Sequence, residues 1–283
     1  MFNLAGASLE QADVCGLTPL HLASLNKLTA TVELLLAGGK DWKALTNVDC
    51  RDHEDRTPVH AAAFAKSKEL LELLIKNKAD VTAIDAEGRS AIHWVLTRDK
   101  DRPRATSAAD AIECIEYLQS VGADIKALDK YGRSAIHYAA YHNLPSCCVF
   151  LLRAGLDPNL QDKRYSLSLS LSLSLSPLSP LFPCKVHLCD DIDWFRGYTS
   201  LHCSVINESD ECTSILLKGG ASQRIASLDG ITPISLACAH CLYKNIVLLC
   251  EDAQFSPDDK VRNNQPLSAQ QRDPATNWSR AIG

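Results

Sequence analysis

Aromatic residues are scarce in this chain of 283 residues, since Phe, Trp and Tyr together make up only 6% of it. β-Sandwiches and β-barrels are enriched in aromatic and β-branched residues, whereas layers of short helices pack mainly with leucine, alanine and isoleucine. With 46% hydrophobic residues, the chain still has enough apolar material for a sizeable core. The composition therefore favours an all-α fold.

The sequence also lacks an excess of positive charge and any long hydrophobic run. Its formal net charge is −5 at pH 7; because nucleic-acid affinity rests on clustered Lys and Arg, we expect no nucleic-acid partner. No stretch reaches the 18 or more apolar residues of a membrane span, so we expect no membrane association. Residues 1–13 carry neither a basic start nor an apolar run. No signal peptide is therefore expected, and the predicted location is the cytoplasm or the nucleus.

Sequence signals of a cofactor are weak. No phosphate-binding loop of the type G-x-x-x-x-G-K occurs. Five of the twelve cysteines sit in helix-like apolar patterns, where a small apolar side chain would also serve: Cys114, Cys148, Cys203, Cys212 and Cys238. Cys238 and Cys241 form a C-x-x-C pair, but no second ligand pair stands at a suitable spacing. We therefore predict no metal and no cofactor, and a zinc site at Cys238 and Cys241 is the alternative.

One six-residue pattern recurs six times along the chain. The copies are Thr18-Pro-Leu-His-Leu-Ala23, Thr57-Pro-Val-His-Ala-Ala62, Ser90-Ala-Ile-His-Trp-Val95, Ser134-Ala-Ile-His-Tyr-Ala139, Thr199-Ser-Leu-His-Cys-Ser204 and Thr232-Pro-Ile-Ser-Leu-Ala237. Their first residues lie 39, 33, 44, 65 and 33 positions apart. Periods of this size indicate a repeat architecture, with insertions in the longer intervals.

Each copy is surrounded by the signals of a helix pair. A Thr or Ser can cap a helix start, and Pro is well tolerated at the first helical position. A glycine stands two residues before five of the six copies, and Asp55 takes its place in the second. A second apolar helix then ends in a leucine pair followed in most copies by glycine, which is a C-cap signal.

This pattern resembles the ankyrin-repeat family. The resemblance implies an all-α ankyrin-repeat solenoid of about six helix-turn-helix units joined by β-hairpin turns and interrupted by a low-complexity insert. Five repeats carry a histidine at the same position. That regularity predicts a structural hydrogen-bonding role, and no third group is indicated that would orient a nucleophile and a base. We therefore expect no enzyme activity.

The longest interval contains an alternation of Ser and Leu that continues into a proline-rich stretch. Removing residues 165–196 restores a 33-residue period and gives Asp162 and Gly197 the spacing of Asp85 and Gly88. We interpret the insert as a disordered segment or a translated intron, and a β-strand with period-two alternation is the alternative. The predicted domains are repeats one to four over 1–163, with a partial repeat at the start, the insert over 164–196, repeats five and six over 197–254, and a disordered polar tail over 255–283.

The resemblance implies that another protein binds to a concave surface formed by the hairpin tips and the first helices. On that layout the candidate contact residues are Phe64, Asp85, Glu87, Arg89, Asp129, Lys130, Tyr131, Arg133, Tyr141 and His142. Tyr and Arg are frequent interface anchors, although these residues could equally form ordinary solvated tips. We expect a monomeric, non-catalytic scaffold or adaptor. The alternative is a regulatory ankyrin segment of a longer enzyme or ion channel.

Overall fold

The computed structural model describes residues 9–38, 47–98, 107–163 and 197–252. These residues fall into two compact units, the first ending at Ala135 and the second beginning at Ile136. Three predicted segments lie outside the described residues: the insert over 164–196, the tail over 255–283 and the partial repeat at the chain start.

Six helices make up the first unit. They are α1 (Pro19–Leu25), α2 (Thr29–Ala37), α3 (Pro58–Phe64), α4 (Lys68–Lys76), α5 (Ala91–Leu96) and α6 (Ala108–Ser120). The first helices of the three pairs, α1, α3 and α5, pack side by side, and α2, α4 and α6 form a second layer behind them. Fully buried side chains fill the space between the layers: Leu20, Leu70, Leu71, Leu74, Ile92, Leu96, Ile115 and Leu118.

The second unit repeats this arrangement. Its helices are α7 (Ala135–Tyr141), which starts at the boundary, α8 (Pro145–Arg153), α9 (Ser200–Ile206), α10 (Asp210–Lys218), α11 (Pro233–Ala239) and α12 (Tyr243–Asp252). α9 packs on α11, and α8, α10 and α12 form the second layer. The described residues thus contain six helix pairs and no strand, which confirms the predicted all-α repeat architecture.

The repeated motif sets where the first helices begin. Thr18, Thr57, Ser90, Thr199 and Thr232 are N-cap residues with extended backbone, and each belongs to a capping box. Three of these helices have proline at the first turn, where the missing N–H has no helical partner to lose.

The turn before each repeat needs a left-handed residue. Gly16 has a φ of 81°, and Asp55, which takes the glycine position in the second repeat, has a φ of 57°. Asp tolerates this conformation better than most residues. The second repeat therefore keeps the turn geometry although it lacks the glycine.

None of the helices in the described ranges is long and apolar enough to cross a bilayer.

Candidate protein-binding surface

The first unit contains four five-residue turns, each organised by an aspartate, and they precede α1, α3, α5 and α7. We call these tip turns; they comprise residues 13–17, 52–56, 85–89 and 129–133. In Asp85, for example, Oδ1 accepts hydrogen bonds from the backbone N–H groups of Glu87 at 2.9 Å and Arg89 at 2.8 Å. The same two bonds occur in the other three turns. The carboxylate therefore satisfies donors that the tight turn would otherwise leave unpaired.

An arginine closes three of the four turns. Its Nε donates to the second carboxylate oxygen, at 2.6 Å in Asp52–Arg56, 2.7 Å in Asp85–Arg89 and 2.6 Å in Asp129–Arg133. The three aspartate side chains are completely buried. Removing one member of such a pair leaves a buried charge uncompensated.

This burial corrects the sequence-based interpretation of the tips. Asp85, Arg89, Asp129 and Arg133 were expected to be exposed, but each is buried. The physical reason is that the carboxylate turns inward to bind its own backbone, and the guanidinium follows it.

Neighbouring tip turns are joined by backbone hydrogen bonds. The N–H of His53 donates to the carbonyl of Cys15 at 3.1 Å, and that of Lys130 donates to Glu87 at 3.0 Å. Ala86 donates to Glu54 in the same way at 2.8 Å. The four turns of the first unit therefore form one continuous, internally bonded row.

Several side chains on the last two tip turns do face solvent. Lys130 is exposed, and Glu87 and Tyr131 are half-buried. The ring of Tyr131 lies under the Arg133 guanidinium at 4.5 Å. Burial and a hydrogen bond to Glu87 raise the pKa of the Tyr131 hydroxyl, so the phenol stays neutral and able to donate.

Two exposed apolar residues flank these side chains, and the sequence reasoning missed them. Ile84 and Leu128 directly precede the aspartates of their turns and are 51% and 42% exposed. The available signal was an aliphatic residue at the same position of two successive turns. We define the tip surface as Ile84, Glu87, Leu128, Lys130 and Tyr131.

Trp94 connects the third tip turn to the first helices. Its Nε1 donates to Asp85 at 2.9 Å, and its ring lies 4.5 Å from the Arg89 guanidinium. Phe64, a predicted contact residue on α3, is half-buried and meets Trp94 edge to face at 5.9 Å between ring centroids. Phe64 is thus packed against Trp94 of α5.

Two of the predicted contact residues, Tyr141 and His142, belong to the second unit and are buried. They were expected to face a groove. They lie instead at the end of α7, where their rings pack edge to face at 4.9 Å and Asn207 donates to the Tyr141 carbonyl. The Asn207 bond ties the loop after α9 to the end of α7.

The recurring histidines are structural. We call His21, His60, His93 and His202 the capping histidines, because Nδ1 of each accepts the N–H of its own N-cap residue. Nε2 of His21 and of His202 reaches a carbonyl before the next repeat, Arg56 at 2.9 Å and Ile231 at 3.0 Å. A backbone N–H only donates and a carbonyl only accepts, so these two rings are neutral with the proton on Nε2.

Burial opposes protonation of the capping histidines. It lowers the pKa of His60, His93 and His202 to about 4 in each case, and it also lowers the pKa of His21. Their geometry uses Nδ1 for capping, which leaves it no freedom to act as a base toward a bound molecule.

The turn before the fifth repeat closes across the insert. Asp162 Oδ1 accepts the N–H groups of Gly197 and Tyr198, each at 2.7 Å, and the Asp162 N–H donates to the Tyr198 carbonyl at 2.9 Å. The two bonds of Tyr198 match those between Arg89 and Asp85, whereas Gly197 takes the place of Gly88, whose N–H donates to the Asp85 carbonyl instead of the carboxylate. The structure therefore brings Asp162 and Gly197 together, as the sequence alignment of the two residues predicted.

The cysteines divide into two groups. Cys114, Cys148, Cys203 and Cys212 are buried, as predicted, but Cys238 is exposed because it lies at the end of α11, on the last described helix pair. Throughout the part of the chain that the structure describes, no three His, Cys, Asp or Glu side chains are grouped to hold a metal ion. Cys238 and Cys241 therefore gain no third ligand there.

A family model described as "Ankyrin repeats (3 copies)" matches residues 2–85 and 84–162. The nuclear factor NF-kappa-B p105 subunit of Gallus gallus is 34% identical over 254 residues, which cover 88% of this chain and 17% of that protein. Neurogenic locus notch homolog protein 1 of Mus musculus is 37% identical over 90 residues, covering 32% of this chain and 3% of that protein. The chain thus spans less than a fifth of the length of these relatives.

Two crystal structures are similar in fold. An ankyrin repeat domain from Acinetobacter baumannii AYE superposes with a TM-score of 0.54 at 22% identity and covers 83% of this chain and 97% of its own. The ankyrin repeat domain of Bcl-3, described as a unique member of the IkappaB protein family, has the same TM-score and identity and covers 88% and 89%. At this identity the likeness concerns the fold alone.

Proposed function

Because the chain belongs to the ankyrin-repeat family, we propose that it is a non-catalytic scaffold or adaptor that binds a partner protein through the tip surface of its first unit. Ankyrin repeats are generally protein–protein interaction domains. The observation that carries the proposal is that buried and accessible side chains lie next to each other in the tip turns. The buried Asp and Arg hold the backbone, while the tip surface side chains beside them remain accessible.

The tip surface has the composition of a recognition site. Ile84 and Leu128 offer apolar area, Tyr131 offers a half-buried aromatic ring, and Lys130 and Glu87 offer charges of opposite sign. Interfaces combine such an apolar centre with a polar rim. Because the backbone bonds between turns fix the row beforehand, binding would cost little ordering entropy.

We further propose that the protein is a monomer without a cofactor, located in the cytoplasm or the nucleus, and that it has no catalytic activity. The capping histidines support the last point, since each is engaged with its own helix start. The domain limits that we propose are 1–163 and 197–254 for the repeats, separated by 164–196 and followed by 255–283.

The proposal is tested by quantitative affinity capture from cell lysate with the wild-type chain and a Lys130→Glu, Leu128→Ser variant. A partner depleted by this double variant supports the tip surface as its binding site. Lys76→Glu is the matched control, because Lys76 is an exposed lysine at the end of α4, on the second layer of helices. Equal recovery by the tip variant and the control would contradict the proposal.

A second candidate is a regulatory ankyrin segment of a longer enzyme or ion channel. It is favoured by one observation, the small share of the relatives' length that this chain covers. Sequencing of full-length transcripts distinguishes the two candidates, because only the second requires a catalytic or membrane domain in the same reading frame.

A further inference from the structure

Two buried cysteines of the second unit lie in direct contact. Cys148 in α8 and Cys212 in α10 are free thiols with no exposed surface, and their Sγ atoms are 3.9 Å apart. The two helices pack against each other. Since a disulfide bond is about 2.05 Å long, the sulfurs must approach by about 2 Å, which side-chain rotation and a small helix shift can supply.

The surroundings make the two sulfurs unequal. The Cys148 thiol donates to the Cys212 sulfur, which lowers the pKa of Cys212 and raises the pKa of Cys148. The Cys212 thiol itself donates to Oδ1 of Asn143 at 3.7 Å, and the same oxygen accepts from Ser209 Oγ at 2.6 Å. The lowered pKa of Cys212 favours the thiolate, which is the nucleophile in thiol chemistry, on that sulfur.

We propose that Cys148 and Cys212 form a reversible disulfide when local opening of the second unit lets hydrogen peroxide reach the buried pair. The Cys212 thiolate attacks the peroxide, the O–O bond breaks and water leaves after protonation, so that Cys212 becomes a sulfenic acid. The Cys148 sulfur then attacks the Cys212 sulfur, the S–O bond breaks and a second water leaves with the Cys148 proton. Two thiols lose two electrons, and one peroxide is reduced to two waters.

The bond would join the helices on either side of residues 164–196. α8 precedes that segment and α10 follows it, so the disulfide closes a covalent loop that contains the turn at Asp162 and Gly197. A cross-link across a long loop stabilises the folded state by restricting the unfolded chain. The second unit would thus become harder to open in an oxidising environment.

The test exposes the full-length protein to hydrogen peroxide and maps disulfides by mass spectrometry of unreduced tryptic digests. Trypsin leaves Cys147 with Cys148 in peptide 134–153, and Cys203 with Cys212 in peptide 197–218. We expect these two peptides to be joined in the wild type and in Cys147→Ala, and to be separate in Cys148→Ala. Dithiothreitol should release them.

Fragment-ion spectra of the wild-type linked peptides assign the sulfurs independently, so the test holds even if an alanine variant does not fold. The melting temperature provides a second measurement, and oxidation should raise it by on the order of 5 °C in the wild type and in Cys147→Ala but not in Cys148→Ala. The proposal is overturned if the link survives in Cys148→Ala, or if no link forms under conditions that oxidise the exposed Cys238.

Discussion

Deleting residues 165–196 should stabilise the second unit. The structure closes the fifth tip turn with the Asp162 carboxylate and the Tyr198 carbonyl, although residues 163–196 intervene. After the deletion only two residues separate Asp162 from Gly197, as in the other tip turns. Since closure entropy grows as (3/2)RT times the logarithm of loop length, the free energy of unfolding should rise by about 2 kcal/mol.

The assay is urea unfolding followed by circular dichroism, with the wild type and the deletion compared at one pH. The matched control replaces residues 165–196 by a Gly/Ser segment of equal length, which keeps the loop length and removes the native side chains. This control should unfold like the wild type. A deletion that lowers stability, together with a destabilised control, would refute the reasoning, because it would show that the segment contributes packing.

Three further predictions concern the repeats themselves. Lowering the pH from 7 to 5 should reduce the free energy of unfolding by about 2 kcal/mol for each capping histidine with a pKa of about 4. The reason is that the imidazole, with a pKa of 6.5 in the unfolded chain, binds a proton in this range, whereas the folded one stays neutral. Urea unfolding at several pH values measures this change. Gly16→Ala should destabilise more than Gly230→Ala, as thermal melting would show. Both glycines have positive φ, but only at Gly16 does an added Cβ meet backbone, the His53 nitrogen at 2.7 Å. Lys78→Gly should stabilise by about 1 kcal/mol in urea unfolding, since Lys78 has a φ of 68°, whereas Glu72→Gly within α4 should destabilise by a similar amount.

Each of these predictions has a result that contradicts it. The pH dependence should lie between pH 6.5 and 4. A flat stability profile would contradict the lowered pKa of the capping histidines. Equal losses at Gly16 and Gly230 would mean that the close approach to His53 is relieved without cost. A destabilising Lys78→Gly would mean that the left-handed lysine is not strained.

The helix pairs were predictable because their signals are local. Thr18-Pro-Leu-His fixes a cap, a first turn and a capping histidine within four residues, so pattern and geometry agree. The turn at Asp162 was also predictable, because restoring the period aligned it with Asp85. Even Asp55 fits, since it adopts the conformation of the glycine that it replaces.

The surface was harder to predict because side-chain direction is not encoded in residue type. Asp129 and Arg133 were expected to be exposed because the ankyrin layout places them at a hairpin tip, yet each is paired with the other within that turn. Conversely, Ile84 and Leu128 are aliphatic and face solvent, because the residue before the aspartate points away from the turn. Tyr141 was expected to face a groove but is buried at the end of α7, where Asn207 of another repeat donates to its carbonyl, a contact that no local pattern reveals.

The central claim is that the tip surface of the first unit binds a partner protein. The most direct measurement is the dissociation constant of the purified partner for the wild type, Lys130→Glu and Lys76→Glu, determined by calorimetry at one salt concentration. We predict at least about tenfold weaker binding for Lys130→Glu, equivalent to about 1.4 kcal/mol, and no more than about twofold for Lys76→Glu. Equal affinities for all three proteins would place the binding site elsewhere and contradict the claim.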